Sequence, residues 1–439
     1  MRDWKGIKDL LVDAVEQTTN LVQDTHVSVT RRVFGVAKAV VPSAGVIQAA
    51  QAVERVASGT VYASVRATNR LVGAILDHGF EAVGDEHLRP DEATVPVRSD
   101  VTGTAAWLRD AAIGSLNGVV GDFLAERGNG LAVEMRLRHG EALLPQDLRP
   151  SAEAPCSRKI CLFVHGLACT EWSWSIDAER RHGDASVNYG TLLERELSYT
   201  PLYLRYNTGR RISDNGRELA ELLERLVAAW PEPVEEIVIV GHSMGGLVAR
   251  SAAHHGATAG HRWVDHLSHL FCLGSPHLGA PLEKVGNAVA YGLRRIDVPA
   301  TQVIGRLIDA RSVGIKDLRF GNLTADDWAG TDPDAFLENH KKDIPFLDHV
   351  DHVFIASTVT DDPDHPLGVA LGDLLVRTES ASCGRPPAVR RIEIDRDDGV
   401  LGGISHISLA NHPVVYAQIK RCLERGARAR PLRDTRRTW

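Results

Sequence analysis

Apolar positions recur along the chain with two different periods. Up to about residue 127 the spacing is helical. Ile7, Leu11, Val15, Thr18 and Val22 form one such series, and Val61, Val65, Val72, Ile75 and Leu76 another, each a stripe on one face of a 3.6-residue helix. Pro42 and the stretch 87–96 split this region into separate helices. A third helix is predicted over 105–126, with Gly128-Asn129-Gly130 as its stop signal. These faces are rich in Ala and Val and poor in large aromatic residues. They suit packing on the domain that follows. Pairing with a second copy, or lying on a lipid surface, are the alternatives.

From residue 131 strands alternate with helices, the pattern of a mainly parallel sheet covered on both faces. An opening hairpin is expected around His139-Gly140, from 131–137 and 141–144. Further strands are expected at 160–164, 203–206, 237–240, 269–273, 353–356 and 389–394, with an amphipathic helix over 218–229. Some seventy residues, 274–348, fit none of these strands and follow the sixth one, where a cap over an active site would sit. Two helix-like apolar stretches, 285–293 and 303–308, lie inside that insertion. The expected organisation is thus a helical N-terminal region over 1–127 and an α/β domain over 131–425 carrying the 274–348 cap. A basic tail, 426–439, is expected to be disordered.

Composition narrows the function classes. At 439 residues, 44% hydrophobic and 24% charged, the chain has the make-up of an ordinary globular protein. A net charge of −7 gives no reason to expect a nucleic-acid partner. Six cysteines form no C-x-x-C pair and no Cys/His spacing typical of zinc, so no metal is expected and a reducing compartment is the simpler reading. The histidines at 254, 255, 261, 266 and 269 lack an acidic ligand pattern and read as solvated or capping residues. No stretch reaches the ~18 uncharged apolar residues of a membrane span. The charged N-terminus has no apolar core behind it, so no secretory leader is expected. Together these give a cytoplasmic protein, with peripheral membrane contact as the variant.

The chemistry centres on Gly241-His242-Ser243-Met244-Gly245, which follows the apolar run Ile237-Val238-Ile239-Val240 and leads into Gly246-Leu247-Val248-Ala249-Arg250. Strand, tight turn and helix in that order hold a serine hydroxyl clear of the backbone, and flanking glycines leave room for the turn. The helix N-terminus faces the place where negative charge would develop. A serine needs a general base, usually a histidine oriented by a carboxylate, and in this architecture acid and histidine follow the serine in that order. His406, after the last expected strand and opening the final helix, is the best base; His412, just before Pro413, better caps or packs. For the acid, Asp361, Asp362, Asp364 and Asp373 all qualify by position. Asp373 sits in a glycine turn running into apolar residues, which suits a buried carboxylate. Asp361 and Asp362, beside Pro363, look like a solvated turn. The oxyanion would meet the N–H groups of Met244 and, in the loop His165-Gly166-Leu167, of Leu167. Trp172 and Trp174 line the acyl pocket or simply pack.

Val164-His165-Gly166-Leu167, Gly241-His242-Ser243-Met244-Gly245-Gly246, Gly372-Asp373-Leu374-Leu375-Val376 and Ser405-His406-Ile407-Ser408-Leu409 resemble the motifs of the α/β-hydrolase superfamily. The chain is most similar to its esterase/lipase branch, which includes the GPI inositol-deacylase-like proteins. Gly274-Ser275-Pro276-His277-Leu278-Gly279-Ala280-Pro281 matches a turn common after the sixth strand in such lipases. The resemblance covers about 131–425. It implies Ser243 as nucleophile, Asp373 rather than Asp361 as orienting acid, His406 as base, and Leu167 and Met244 as oxyanion donors. It also implies cleavage of carboxylic esters, often of lipids, without a cofactor. Acyl transfer on the same fold, or a non-catalytic binding module, are the alternatives.

Overall fold

The computed structural model describes residue 23 and residues 102–429 apart from 141, 152–155, 281–282, 284–310, 333–334, 336–337, 363–364, 366–371, 374 and 384–399. The helices expected before residue 102, the stretches 285–293 and 303–308, the strand expected at 389–394 and most of the basic tail fall outside the described residues. The chain divides into two compact units, Met1–Ala112 with Gly292–Arg306, and Ile113–Tyr291 with Leu307–Trp439. Within the first, the description is confined to residue 23 and the opening turns of helix α1, Thr102–Glu126.

The second unit is built on one eight-stranded sheet. In chain order its elements are β1 (Arg136–His139), β2 (Ala142–Leu143), β3 (Lys159–Val164), α2 (Tyr189–Leu197), β4 (Thr200–Arg205), α3 (Ile212–Ala229), β5 (Glu236–His242), α4 (Met244–Ala259), β6 (Leu267–Leu273), α5 (Val313–Asp317), β7 (Asp351–Ser357), β8 (Val400–Leu401) and α6 (Pro413–Ala429). The spatial order is β2-β1-β4-β3-β5-β6-β7-β8. All neighbours from β4 to β8 run parallel, while β1 is antiparallel to both β2 and β4.

The central strands are buried on both faces, which is why they read as continuous apolar runs rather than alternating ones. Ile160, Leu162, Val164, Ile237 and Ile239 face one core layer with α3 and α4. Cys161, Phe163, Val238 and Val240 face the other, with Tyr189 and Leu193 of α2 and Val415 and Ile419 of α6. Register aligns the carboxyl ends: Val164 lies opposite Gly241, His242 opposite Leu273, and Leu273 opposite Ile355. Every loop leaving those ends therefore meets its neighbours at one rim, where ligands gather in open α/β sheets.

Four expectations shift. The hairpin strand expected over 131–137 is confined to Arg136–His139. Before it the backbone is held by α1 instead, since Asn117 Nδ2 donates to the Leu131 carbonyl (2.8 Å) and Asn117 Oδ1 accepts from Val133 N (2.9 Å). For the same reason the boundary expected at residue 127 moves: the second half of α1 packs within the α/β unit, which begins at Ile113. His406 does not open the final helix. A 3₁₀ turn, Ile407–Ala410, follows it and α6 starts only at Pro413, where proline at the first helical position is favourable. The final helix also runs beyond residue 425, to Ala429. Among the described residues no helix is long and apolar enough to cross a membrane.

Candidate active site

Ser243 joins β5 to α4 with φ 54° and ψ −125°, a conformation whose cost is of the order of 1–3 kcal/mol. The surroundings impose it. Ser243 N donates to Leu273 O (2.8 Å) and Gly246 N to Ser243 O (3.1 Å). A Cβ on Gly241 would lie 2.5 Å from Gly246 Cα, and one on Gly245 would run into the Val164 and His165 carbonyls. Only glycine lets strand and helix meet this closely. The serine side chain is part-exposed, and its hydroxyl makes no hydrogen bond among the described residues.

Asp373 and His406 are brought into contact. Asp373, 1% exposed, holds Oδ2 2.7 Å from His406 Nδ1. Its Oδ1 accepts from Val376 N (2.8 Å) and Leu375 N (3.1 Å), and its carbonyl accepts from His406 N (3.2 Å). The carboxylate is thus fixed by its own turn, which Gly372 allows at φ 60°. An ionised carboxylate only accepts, so the network assigns the proton to Nδ1 and leaves the lone pair on Nε2. Nε2 makes no hydrogen bond among the described residues. Asp361 and Asp362 are exposed, and Asp361 lies against Gly402 and Gly403 rather than the imidazole. Asp364 is outside the described residues. His412 Nδ1 accepts from Val414 N (3.3 Å) at the start of α6.

Ser243 and His406 are linked through His242. Its Nε2 donates to the His406 carbonyl (2.9 Å), and the two rings lie 4.9 Å apart between centroids. Burial, and then the nearby His406, push the His242 imidazole down to about 3, so it is neutral. The motif contained this residue, but nothing in its spacing announced a brace to a residue 164 positions away.

Leu167 follows β3 in a turn closed by Cys169 N→Gly166 O (3.3 Å). A Cβ on Gly166 would sit 3.0 Å from Ser243 Cβ, so this loop borders the elbow. Neither Leu167 N nor Met244 N donates a hydrogen bond among the described residues. His165 is buried against Tyr206, ring centroids 4.5 Å apart, and burial pushes it down to about 4. Trp174 is core: it is fully buried and meets Phe163 edge-on at 5.1 Å. Trp172 stacks beneath the Arg138 guanidinium. Just before them in the chain, Glu171 is buried and receives Arg138 (2.8 Å) and Arg205 (2.6 Å). Burial alone would raise that carboxyl, but the two guanidiniums hold it below its usual range. This ion-pair cluster pins the start of the Trp loop to β1 and β4.

The arrangement orients one imidazole and holds a serine on a strained turn bordered by the loop after β3. The sequence profile of the PGAP1-like alpha/beta domain matches residues 156–350. No curated protein matches the chain. Among solved structures it is similar to the lipase BlEst2 of Bacillus licheniformis in mature form, at 18% identity over 62% of this chain and 96% of that one, TM-score 0.39. It is also similar to phospholipase PlaB from Legionella pneumophila, at 16% over 61% of this chain and 60% of that one, TM-score 0.34. A thermophilic esterase from Thermogutta terrifontis matches at 16% over 67% and 94%, TM-score 0.30. The strand order and the elbow at Ser243 are those of an α/β-hydrolase fold, and the matched domain covers residues 156–350 of it.

Proposed function

We propose that the chain is a serine hydrolase that cleaves carboxylic esters through an acyl-enzyme. Ser243 Oγ attacks the ester carbonyl. His406 Nε2 takes the hydroxyl proton and returns it to the leaving alcohol, and Asp373 stabilises the imidazolium formed between these steps. Leu167 N–H and Met244 N–H receive the oxyanion. Water, activated by the same imidazole, then releases the acid. The first step requires Ser243 Oγ and His406 Nε2 to meet, a contact that catalytic pairs often complete only when substrate binds.

The observation that carries this reading is the buried Asp373–His406 pair (2.7 Å) at the rim that also holds the strained serine. Its test is Ser243→Ala. Hydrolysis of short p-nitrophenyl esters and labelling by a fluorophosphonate should both vanish while the melting temperature is kept; turnover surviving in the variant ends the proposal.

For the substrate we favour an ester presented at a lipid surface. Leu116, Val119 and Phe123 form an exposed apolar ridge along α1, and Leu375 and Ile407, next to the acid and the base, are exposed as well. Free cysteines at 156, 161, 169, 272, 383 and 422 suit work in a reducing compartment.

A further inference from the structure

The buried face of α1 consists of Gly114, Asn117, Gly118, Gly121 and Leu124, while Leu116, Val119 and Phe123 are exposed. A surface helix held by apolar burial would show the reverse. What the small face gains is closeness. A Cβ on Gly118 would lie 2.7 Å from Ala168 Cβ, 2.8 Å from its Cα and 3.0 Å from its N. One on Gly114 would lie 2.7 Å from Thr170 Cγ2 and 2.9 Å from Cys169 O. The helix backbone therefore rests on residues 168–170, immediately after Leu167. Asn207 Nδ2, donating to Gly121 O (2.8 Å), ties the next turn of the helix to the loop after β4.

The turn it rests on does not hold itself. Ala168 is at φ 58°, where residues with a side chain are disfavoured, and the closing hydrogen bond is long at 3.3 Å. Outside support comes from two sides. Thr208 Oγ1 accepts from Ala168 N (3.1 Å), and α1 closes the other side through Gly118. Ser312 adds a third tie to the same turn of helix, its Oγ donating to Gly118 O (2.7 Å) and its N to Val119 O (2.8 Å).

We infer that residues 113–126 of α1 position the oxyanion loop: the contact of Gly118 with Ala168 holds the turn that aims the Leu167 N–H. This rests on the reading of Leu167 as an oxyanion donor. Gly118 touches no substrate; it acts through the turn. The residues responsible lie outside the matched domain, 156–350, so the hydrolase site is completed by a helix that precedes it.

The test uses the full chain with Gly118→Ala and Ala168→Gly. Alanine in a helix is intrinsically favoured over glycine, and the three atoms nearest a methyl at 118 all belong to Ala168, so Gly118→Ala acts first through that contact. It should lower kcat on p-nitrophenyl esters about tenfold or more, toward the ~10²–10³ that an oxyanion donor is worth, with KM nearly unchanged. A boronic-acid analogue should bind more weakly by the same factor. Ala168→Gly removes the methyl that touches the helix and relaxes the backbone, so folding is not at risk. It should lower kcat severalfold, and the two effects should be non-additive. Hydrogen exchange over 165–170 should speed up in both variants, a readout independent of turnover. Glu126→Ala, at an exposed position of the same helix, should match wild type throughout. Unchanged exchange and kcat in folded Gly118→Ala and Ala168→Gly overturn the inference. Activity persisting in Ser243→Ala would instead remove the reading on which it rests.

Discussion

Asp373→Asn isolates the role of the acid with little change of shape. In the wild type, Asp373 Oδ1 accepts two backbone N–H groups, and Oδ2 lies 2.7 Å from His406 Nδ1. Asparagine placed with its oxygen on those same two donors must aim Nδ2 at the imidazole. A donor there selects the tautomer with the proton on Nε2, and that nitrogen can then no longer accept from Ser243. In the Ser-His-Asp template a wrong tautomer lowers kcat about 10⁴-fold, equivalent to about 5.5 kcal/mol of transition-state stabilisation. The folding penalty should be far smaller, because both backbone bonds survive and one bond to a charged group, worth about 1.5–3 kcal/mol, is weakened. Kinetics on p-nitrophenyl acetate and butyrate, paired with thermal melts, separate the two effects. The expected result is a folded variant some four orders of magnitude slower, with Asp361→Asn within about twofold of wild type. An Asp373→Asn variant that stays within tenfold of wild type refutes the tautomer account. So would an Asp361→Asn variant carrying the large loss.

Three further outcomes are expected. His242→Leu removes the donor to the His406 carbonyl, a hydrogen bond worth about 0.5–1.5 kcal/mol, so kcat should fall about two- to tenfold at constant KM; His242→Gln, whose amide reaches the same oxygen, should recover most of it, and equal losses would reduce His242 to packing. Burial holds His165 at about 4 and His242 and His352 at about 3, below the ordinary ~6.5. The unfolded chain therefore takes up their protons first, and stability is full above pH ~6.5 and falls as pH drops, each histidine removing roughly 2 kcal/mol by pH 5. Asp317, raised to about 6 by burial, opposes this by gaining stability as pH falls below 6, so melts should still weaken from pH 7 to 5; a flat profile would refute the balance. Finally, the full chain should float with zwitterionic phosphatidylcholine vesicles, and Val119→Ser/Phe123→Ser should reduce flotation without altering hydrolysis of a soluble ester. Equal flotation of both proteins would remove the ridge as the contact.

Local chemistry that repeats a periodic or motif signal was legible in the sequence; partnerships between distant residues were not. The elbow could be read because Ile237 to Val240 must be a buried strand and the glycines around Ser243 have no other use at that spacing. Asp373 stood out because Gly372 and the apolar residues after it describe a tight, buried turn, which is what its backbone hydrogen bonds require. The last helix starts later than the periodicity predicts because the apolar positions continue through Leu409 and Ala410, which form a 3₁₀ turn instead. The packing of α1 was hidden for a deeper reason. Periodicity searches for an apolar face, whereas this helix buries glycines at 114, 118 and 121 and exposes leucine, valine and phenylalanine. The i, i+4, i+7 spacing of those glycines was the available signal. Glu171 with Arg138 and Arg205, and Asp317 with Arg211 some 106 residues away, could not be paired from spacing at all.

The rim brings together three imidazoles, and their surroundings differ in a way that bears on proton transfer. His165 uses its own Nδ1 on the Gly166 carbonyl (3.0 Å) and has no partner at Nε2. His242 is committed to the His406 carbonyl through Nε2, and its Nδ1 is buried without a partner. Neither has a carboxylate within hydrogen-bond reach, and burial disfavours a charge on either ring. His406 alone faces a carboxylate. In the proposed mechanism a proton leaving Ser243 therefore has one ring on which the resulting charge is compensated. The two neutral neighbours do not compete for that charge, and His242, its ring 4.9 Å from that of His406, also fixes the backbone that carries it. Placing an acidic side chain beside His242, as Gly166→Asp would, should divert the proton from His406 and cut kcat even if the Asp373 contact were intact.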